Sequence, residues 1–186
     1  MSNLDEKIIK MRQKQQNKNS TSETPLEGDF YKHEVILENQ LEILLPTNFS
    51  DMPIEIAKEK YPSEERPQCI KTDSSTMIDI GISLHDEIPI AENSIADVIE
   101  DMKYVLKKTN PAMEFYESGI EELEDFNIGW MDYKSFAIDD QMYNIMFVAS
   151  VKGKMLHGVF NCGYSAHVEW RDRGLQIIKS IRFNKE

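Results

Sequence analysis

Residues 141–151 read QMYNIMFVASV, and this run narrows most what the chain can fold into. Side chains alternate along a β-strand. Tyr143, Ile145, Phe147, Ala149 and Val151 therefore fall on one face, and Met142, Asn144, Met146, Val148 and Ser150 on the other. Both faces are substantially apolar. A strand with one wet face alternates more cleanly, so this one is expected to be covered on both sides. Lys152-Gly153-Lys154 follows it as a short turn, with a glycine free to take a positive φ. Residues 155–162 then place Leu156, Gly158, Phe160 and Cys162 on one face and Met155, His157, Val159 and Asn161 on the other. Residues 130–138 read as a preceding strand, turned by Asp139-Asp140. Three strands on short connections make an antiparallel meander. Its two-faced middle strand calls for a covering layer on each side.

The rest of the chain supplies those layers. Residues 30–37 and 40–45 read as two strands around a tight turn at Glu38-Asn39, the second ended by Pro46. Residues 52–60 suit a short helix with Pro53 in its first turn and Ile54 and Ala57 on a buried face. Pro67 leads into extended chain. Residues 76–84 alternate strictly, with Thr76, Ile78, Ile80, Ile82 and Leu84 on one face and Met77, Asp79, Gly81 and Ser83 on the other. The second face is expected to be exposed or to line a cavity. After Pro89, Asn93 or Ser94 can cap a helix whose stripe is Ile95, Val98, Ile99, Met102, Val105 and Leu106, stopped by Asn110-Pro111. Residues 113–117 and 120–126 read as two short strands around Gly119. Ser165 can cap a last helix over 166–181 that buries Val168, Trp170, Leu175, Ile178 and Ile181. Gly174 inside it points to close packing or a local break. This order fits an α+β domain with a mainly antiparallel sheet. We see no internal repeat, and assign one domain to 29–186 and a polar, disordered tail to 1–28. Leu4, Ile8 and Met11 could form a short helix in that tail.

Several phrases carry a resemblance. LEILLP ends an opening strand at a proline, KYPSEERP precedes an extended run, and the chain closes on WRDRGLQIIKSIRF. Over about 30–183 this plan resembles the PsbP-like and DcrB-like superfamily. The resemblance implies an α/β/α sandwich with helices packed on both faces of a central antiparallel sheet. The superfamily has no common chemistry. Its members include a photosystem subunit, a Ran-binding nuclear import factor, lipoproteins and secretion chaperones, and most act by binding another protein. Its motifs are structural, so no functional residue is carried over.

Charge and composition exclude other classes. The net charge is −12, and the first 28 residues contribute +1, leaving −13 on the rest. Such a body repels phosphate backbones, so nucleic acid is not an expected partner. No apolar run reaches the roughly 18 residues of a membrane span, and no signal-peptide core stands at the start, so a cytoplasmic protein is expected. Cys69 and Cys162 fit a reducing compartment, and their pairing stays open. His157, Cys162 and His167 are spaced by five, which suits no standard zinc pairing. No nucleophile elbow, phosphate-binding loop or activated cysteine is present, so no catalytic, metal or cofactor residue is assigned. The candidate partner-binding residues are Met77, Asp79 and His85 on the 76–84 strand, with the acidic run of Glu121, Glu122, Glu124 and Asp125. The expected function is a non-enzymatic module, adaptor or chaperone that binds another protein. The alternative is a small-ligand binder or enzyme with a pocket on the exposed sheet face.

Overall fold

The computed structural model describes residues 30–137 and 140–184. The tail over 1–28, its short helix, and Asp139 of the expected turn lie outside the described residues. β1 (Tyr31–Ile36) and β2 (Leu41–Pro46) form the expected hairpin. Leu37, Glu38 and Asn39 carry its turn, all with φ between 52° and 65°. β3 (Ser50–Asp51) leads through Pro53 into α1 (Ile54–Lys60). β4 (Cys69–Thr72), β5 (Asp79–Pro89) and α2 (Ile95–Thr109) follow. Then come β6 (Glu114–Glu122), β7 (Asn127–Phe136), β8 (Gln141–Val151) and β9 (Lys154–Gly163). α3 (His167–Lys179) and β10 (Arg182–Phe183) complete the described chain.

Seven strands form one antiparallel sheet in the order β3-β4-β5-β9-β8-β7-β6, and a smaller sheet runs β1-β2-β10. The meander β7-β8-β9 sits inside the larger sheet. Its middle strand is covered on both sides, as the alternation of apolar residues requires. Tyr143, Ile145, Phe147, Ala149 and Val151 enter one core with Leu175 and Ile178 of α3 and Leu41, Ile43 and Leu45 of β2. Met146 and Val148 enter another with Ile95 and Ile99 of α2. Ala57 of α1 packs on Ile70 and Met52. Ile70 lies opposite Gly81, and Gly81 opposite Val159, so α1 shares the α2 face. The result is an α+β sandwich, with α1 and α2 on one face of the sheet and α3 with the small sheet on the other.

Two glycines are demanded by neighbours. Gly158 lies opposite Phe147, and a Cβ there would collide with the Phe147 ring and approach the Gly81 carbonyl to 2.8 Å. Gly174 brings α3 down onto Ile145 and Phe160, where a Cβ would sit 2.9 Å from each side chain. Close packing is therefore the reason for a glycine inside this helix.

Several local expectations are corrected. The strand expected over 76–84 begins at Asp79, because Asp73 winds the preceding residues into a turn. Its carboxylate accepts from the Ser75 hydroxyl and from the Met77 and Ile78 amides, at 2.7, 3.1 and 3.1 Å. Residues 114–122 form one strand rather than two short ones. Trp130 lies across from Gly119 and its indole packs over the bare backbone there. Ile54 is 52% exposed, Val105 55% and Val168 81%, so these three leave the faces expected to bury them. Neither Ser94 nor Ser165 makes a side-chain cap, because a 3-10 turn leads into each helix instead.

Candidate functional site

The sheet face expected to be open around Asp79 is closed. Asp79 is 1% exposed and receives hydrogen bonds from the Tyr61 hydroxyl, from Lys60 Nζ at 2.6 Å and from Asn161 Nδ2 at 3.2 Å. Pro67 covers Gly81, where a Cβ would come within 2.7 Å of its ring. The Gln68 amide donates to the Ser83 hydroxyl at 3.2 Å. Asp79 therefore anchors the end of α1 and the chain after it, and its carboxylate is not available at a surface. Met77 is separated from it, 50% exposed on the turn that Asp73 holds. His85 lies beside His157, with ring centroids 6.3 Å apart.

That second histidine has an unusual setting. His157 Nε2 is buried with no hydrogen-bond partner among the described residues. Burial, with a smaller contribution from His85, holds its imidazole below the ordinary value of 6.5. The fold favours the neutral ring, so the unfolded chain protonates first as pH falls. The contribution is full above pH 6.5 and is lost as pH falls toward the lower folded value. The melting temperature of the wild type should therefore drop more between about pH 8 and about pH 5 than that of His157→Leu. Parallel melting curves across that range would refute this assignment.

The acidic run divides by use. Glu121 pairs with Lys179 of α3 at 2.9 Å and accepts from the Trp130 indole at 3.3 Å. Asp125 accepts from the Phe183 amide of β10 at 2.8 Å. These two carboxylates seat the end of the chain. Glu122 and Glu124 are exposed.

A second buried carboxylate gave no signal in the sequence beyond a charge in an apolar strand. Asp132 on β7 is 1% exposed. Tyr116 and Glu117 together oppose it across the β6–β7 ladder, which is a β-bulge. The Asp132 carboxylate accepts from the Glu117 amide at 2.6 Å, from the Tyr143 hydroxyl at 2.7 Å and from Arg171 Nε of α3 at 3.0 Å. The buried polar network thus joins the edge strand, the central strand and α3.

An open groove lies where β3 leaves the edge of β4. Its volume is about 670 Å³, and its lining includes Val35 and Ile36 of β1, Ile54 and Ala57 of α1, and Cys69 and Ile70 of β4. Three carboxylates (Glu38, Asp51 and Asp86) and two cations (Arg66 and Lys71) line it, and the neighbouring charges are paired, Glu34 with Lys32 at 2.7 Å and Asp86 with Lys154 at 2.6 Å. Lys71 crosses between the sheets, 2.9 Å from Asp51 and 3.2 Å from Glu34. Burial opposes the charge of Lys71, but the hydrogen bonds to Asp51 and Glu34 outweigh it and hold the ammonium above its ordinary value. Burial pushes the Cys69 thiol up, with Lys71 partly offsetting it, and pushes Cys162 up to about 12 with help from Asp79. Both cysteines are free, so the open question of their pairing resolves against a disulfide. Neither setting yields a thiolate nucleophile. Among the described residues, no group of three or more His, Cys, Asp or Glu side chains could hold a metal ion, and no helix is long and apolar enough to cross a membrane.

The architecture is that of PsbP-like proteins. The chain is similar to the solution structure of cyanobacterial PsbP (CyanoP) from Synechocystis, with a TM-score of 0.59 and 9% identity over 89% of this chain and 98% of that one. It is similar also to LpqN of Mycobacterium tuberculosis, involved in cell envelope biogenesis, with a TM-score of 0.53 and 14% identity over 90% of this chain and 94% of that one. At such identities the likeness is one of fold. No protein-family model matches the chain, and no curated protein matches it in sequence.

Proposed function

We propose that the chain is a protein-binding module, an adaptor or chaperone working in the cytoplasm, whose contact surface is the groove beside β1. One observation carries this reading: the groove joins exposed apolar side chains, Val35 at 46% and Ile54 at 52%, to a border of charged side chains. An apolar centre with a charged rim is the usual composition of a protein contact. The PsbP-like fold is compatible with it, but supplies no site. Met77, presented on its ordered turn, and the exposed Glu122 and Glu124 are secondary contact points in the same reading. The test is affinity co-purification from the source cell, with wild-type bait, a Val35→Glu/Ile54→Glu bait and a bait lacking residues 1–28. One specific protein retained by the wild type and the truncated bait, and lost from the groove variant, supports the proposal. Recovery of the same protein by the groove variant would remove the groove from the contact.

A second reading rests on the groove's size. About 670 Å³ falls within the range of small-molecule sites, and the Arg66 guanidinium lines it. A ligand screen read by thermal shift separates the two. Stabilisation by a small molecule that Arg66→Ala abolishes favours the ligand reading.

A further inference from the structure

We propose that the partner of this groove binds as an added β-strand on the outer edge of β1, through an extended segment with basic side chains. This inference rests on the protein-binding reading and names the chemistry of its partner. The ladder of the hairpin shows which β1 groups are free to receive it. Tyr31 pairs with Pro46 and Ile36 with Leu41, without a break in register. The Thr47 amide donates to the Phe30 carbonyl at 2.8 Å. Residues 30, 32, 34 and 36 are then the hydrogen-bonded positions of the ladder. Pro46, which has no N–H to give, falls at one of the intervening positions, as it must. The amide and carbonyl groups of His33 and Val35 consequently point away from β2. Among the described residues no strand pairs with that edge.

Other edges of the two sheets are poorer templates. β3 and β10 are two residues long. β6 is interrupted by its bulge and carries Glu114, Glu117, Glu121 and Glu122. Short, bulged or charged edges resist pairing. β1 is six residues long and unbulged, its two charges Lys32 and Glu34 are paired with each other at 2.7 Å, its Val35 is 46% exposed, and it borders the groove. Strand addition satisfies the free backbone groups, and the groove receives alternate side chains of the added segment. The net charge of −13 over residues 29–186 selects a basic segment over an acidic one.

The test uses the full chain and three probes: a decapeptide of alternating valine and lysine, the same peptide N-methylated along one edge, and one of alternating valine and glutamate. Binding is followed by titration calorimetry and by the amide NMR signals of His33 and Val35. The lysine peptide is expected to bind and to protect both amides from exchange. N-methylation should weaken it about tenfold, because two backbone hydrogen bonds are lost. Val35→Pro should weaken it similarly with an unchanged melting temperature, since the N–H it removes takes no part in the β1–β2 ladder. Equal binding of the methylated peptide, or stronger binding of the glutamate peptide, overturns the inference. Should Val35→Pro unfold the chain, the methylated peptide still decides. A cellular partner retained by a folded Val35→Pro bait but lost from Val35→Glu/Ile54→Glu would keep the protein-binding reading and sink strand addition alone. No partner and no peptide binding would sink both.

Discussion

Phe147→Ala lowers the unfolding free energy by about 3–5 kcal/mol, the range for a buried aromatic truncated in a packed core. Phe147 is fully buried in the central strand, between α3 and the small sheet on one side and its own ladder on the other. Its ring occupies the space that Gly158 leaves open, so the residue opposite it on β9 has no side chain to fill the cavity. On that side the cavity wall is backbone of β9, which is held in register on both edges. Urea denaturation of the two proteins measures the difference. A loss below about 1 kcal/mol would place the side chain at a surface rather than in a core.

Asp132→Ala is the second large effect, with an expected loss of about 3 kcal/mol. The substitution leaves three donors without an acceptor: the bulge amide of Glu117, the Tyr143 hydroxyl and the Arg171 guanidinium. Arg171 retains Glu117 as an ion-pair partner at 2.5 Å and remains partly exposed, which keeps the loss at the lower end for a broken buried pair. Asp132→Asn keeps one acceptor oxygen and should lose less than the alanine variant. Equal denaturation midpoints for the two variants would show that hydrogen bonding at this position contributes nothing.

The parts of the fold legible in the sequence are those fixed by short-range periodicity. The two apolar faces of 141–151 require two covering layers, and α2 and α3 supply them. The stripe of α2 reads correctly except at Val105, which lies on the margin of the helix face that meets the sheet. Residues 113–126 look like two strands because Gly119 resembles a break. What keeps the strand whole is the ring of Trp130 on the neighbouring strand, which no local pattern records. The alternation holds from Asp79 to Leu84, but an open face does not follow from it. Tyr61, Pro67 and Gln68 arrive from another part of the chain and cover Asp79, Gly81 and Ser83. The groove was illegible for the same reason. Its lining comes from segments around positions 36, 54, 69 and 85, and none of them carries a motif of its own.

The two ends of the described chain meet in one place, since Arg182 of β10 pairs with Glu42 of β2, which also holds β1. During synthesis the whole seven-stranded sheet has been made once Gly163 is added, while α3 and β10 are still to come. Until they leave the ribosome, the face that carries Phe147 and Phe160 lacks the Trp170, Leu175 and Ile178 side chains that cover it. A chain halted before Trp170 therefore has only the β1–β2 hairpin over that apolar face, and partly covered faces of this kind are where unfinished proteins aggregate or recruit chaperones. Residues 167–183 complete the cover over that face.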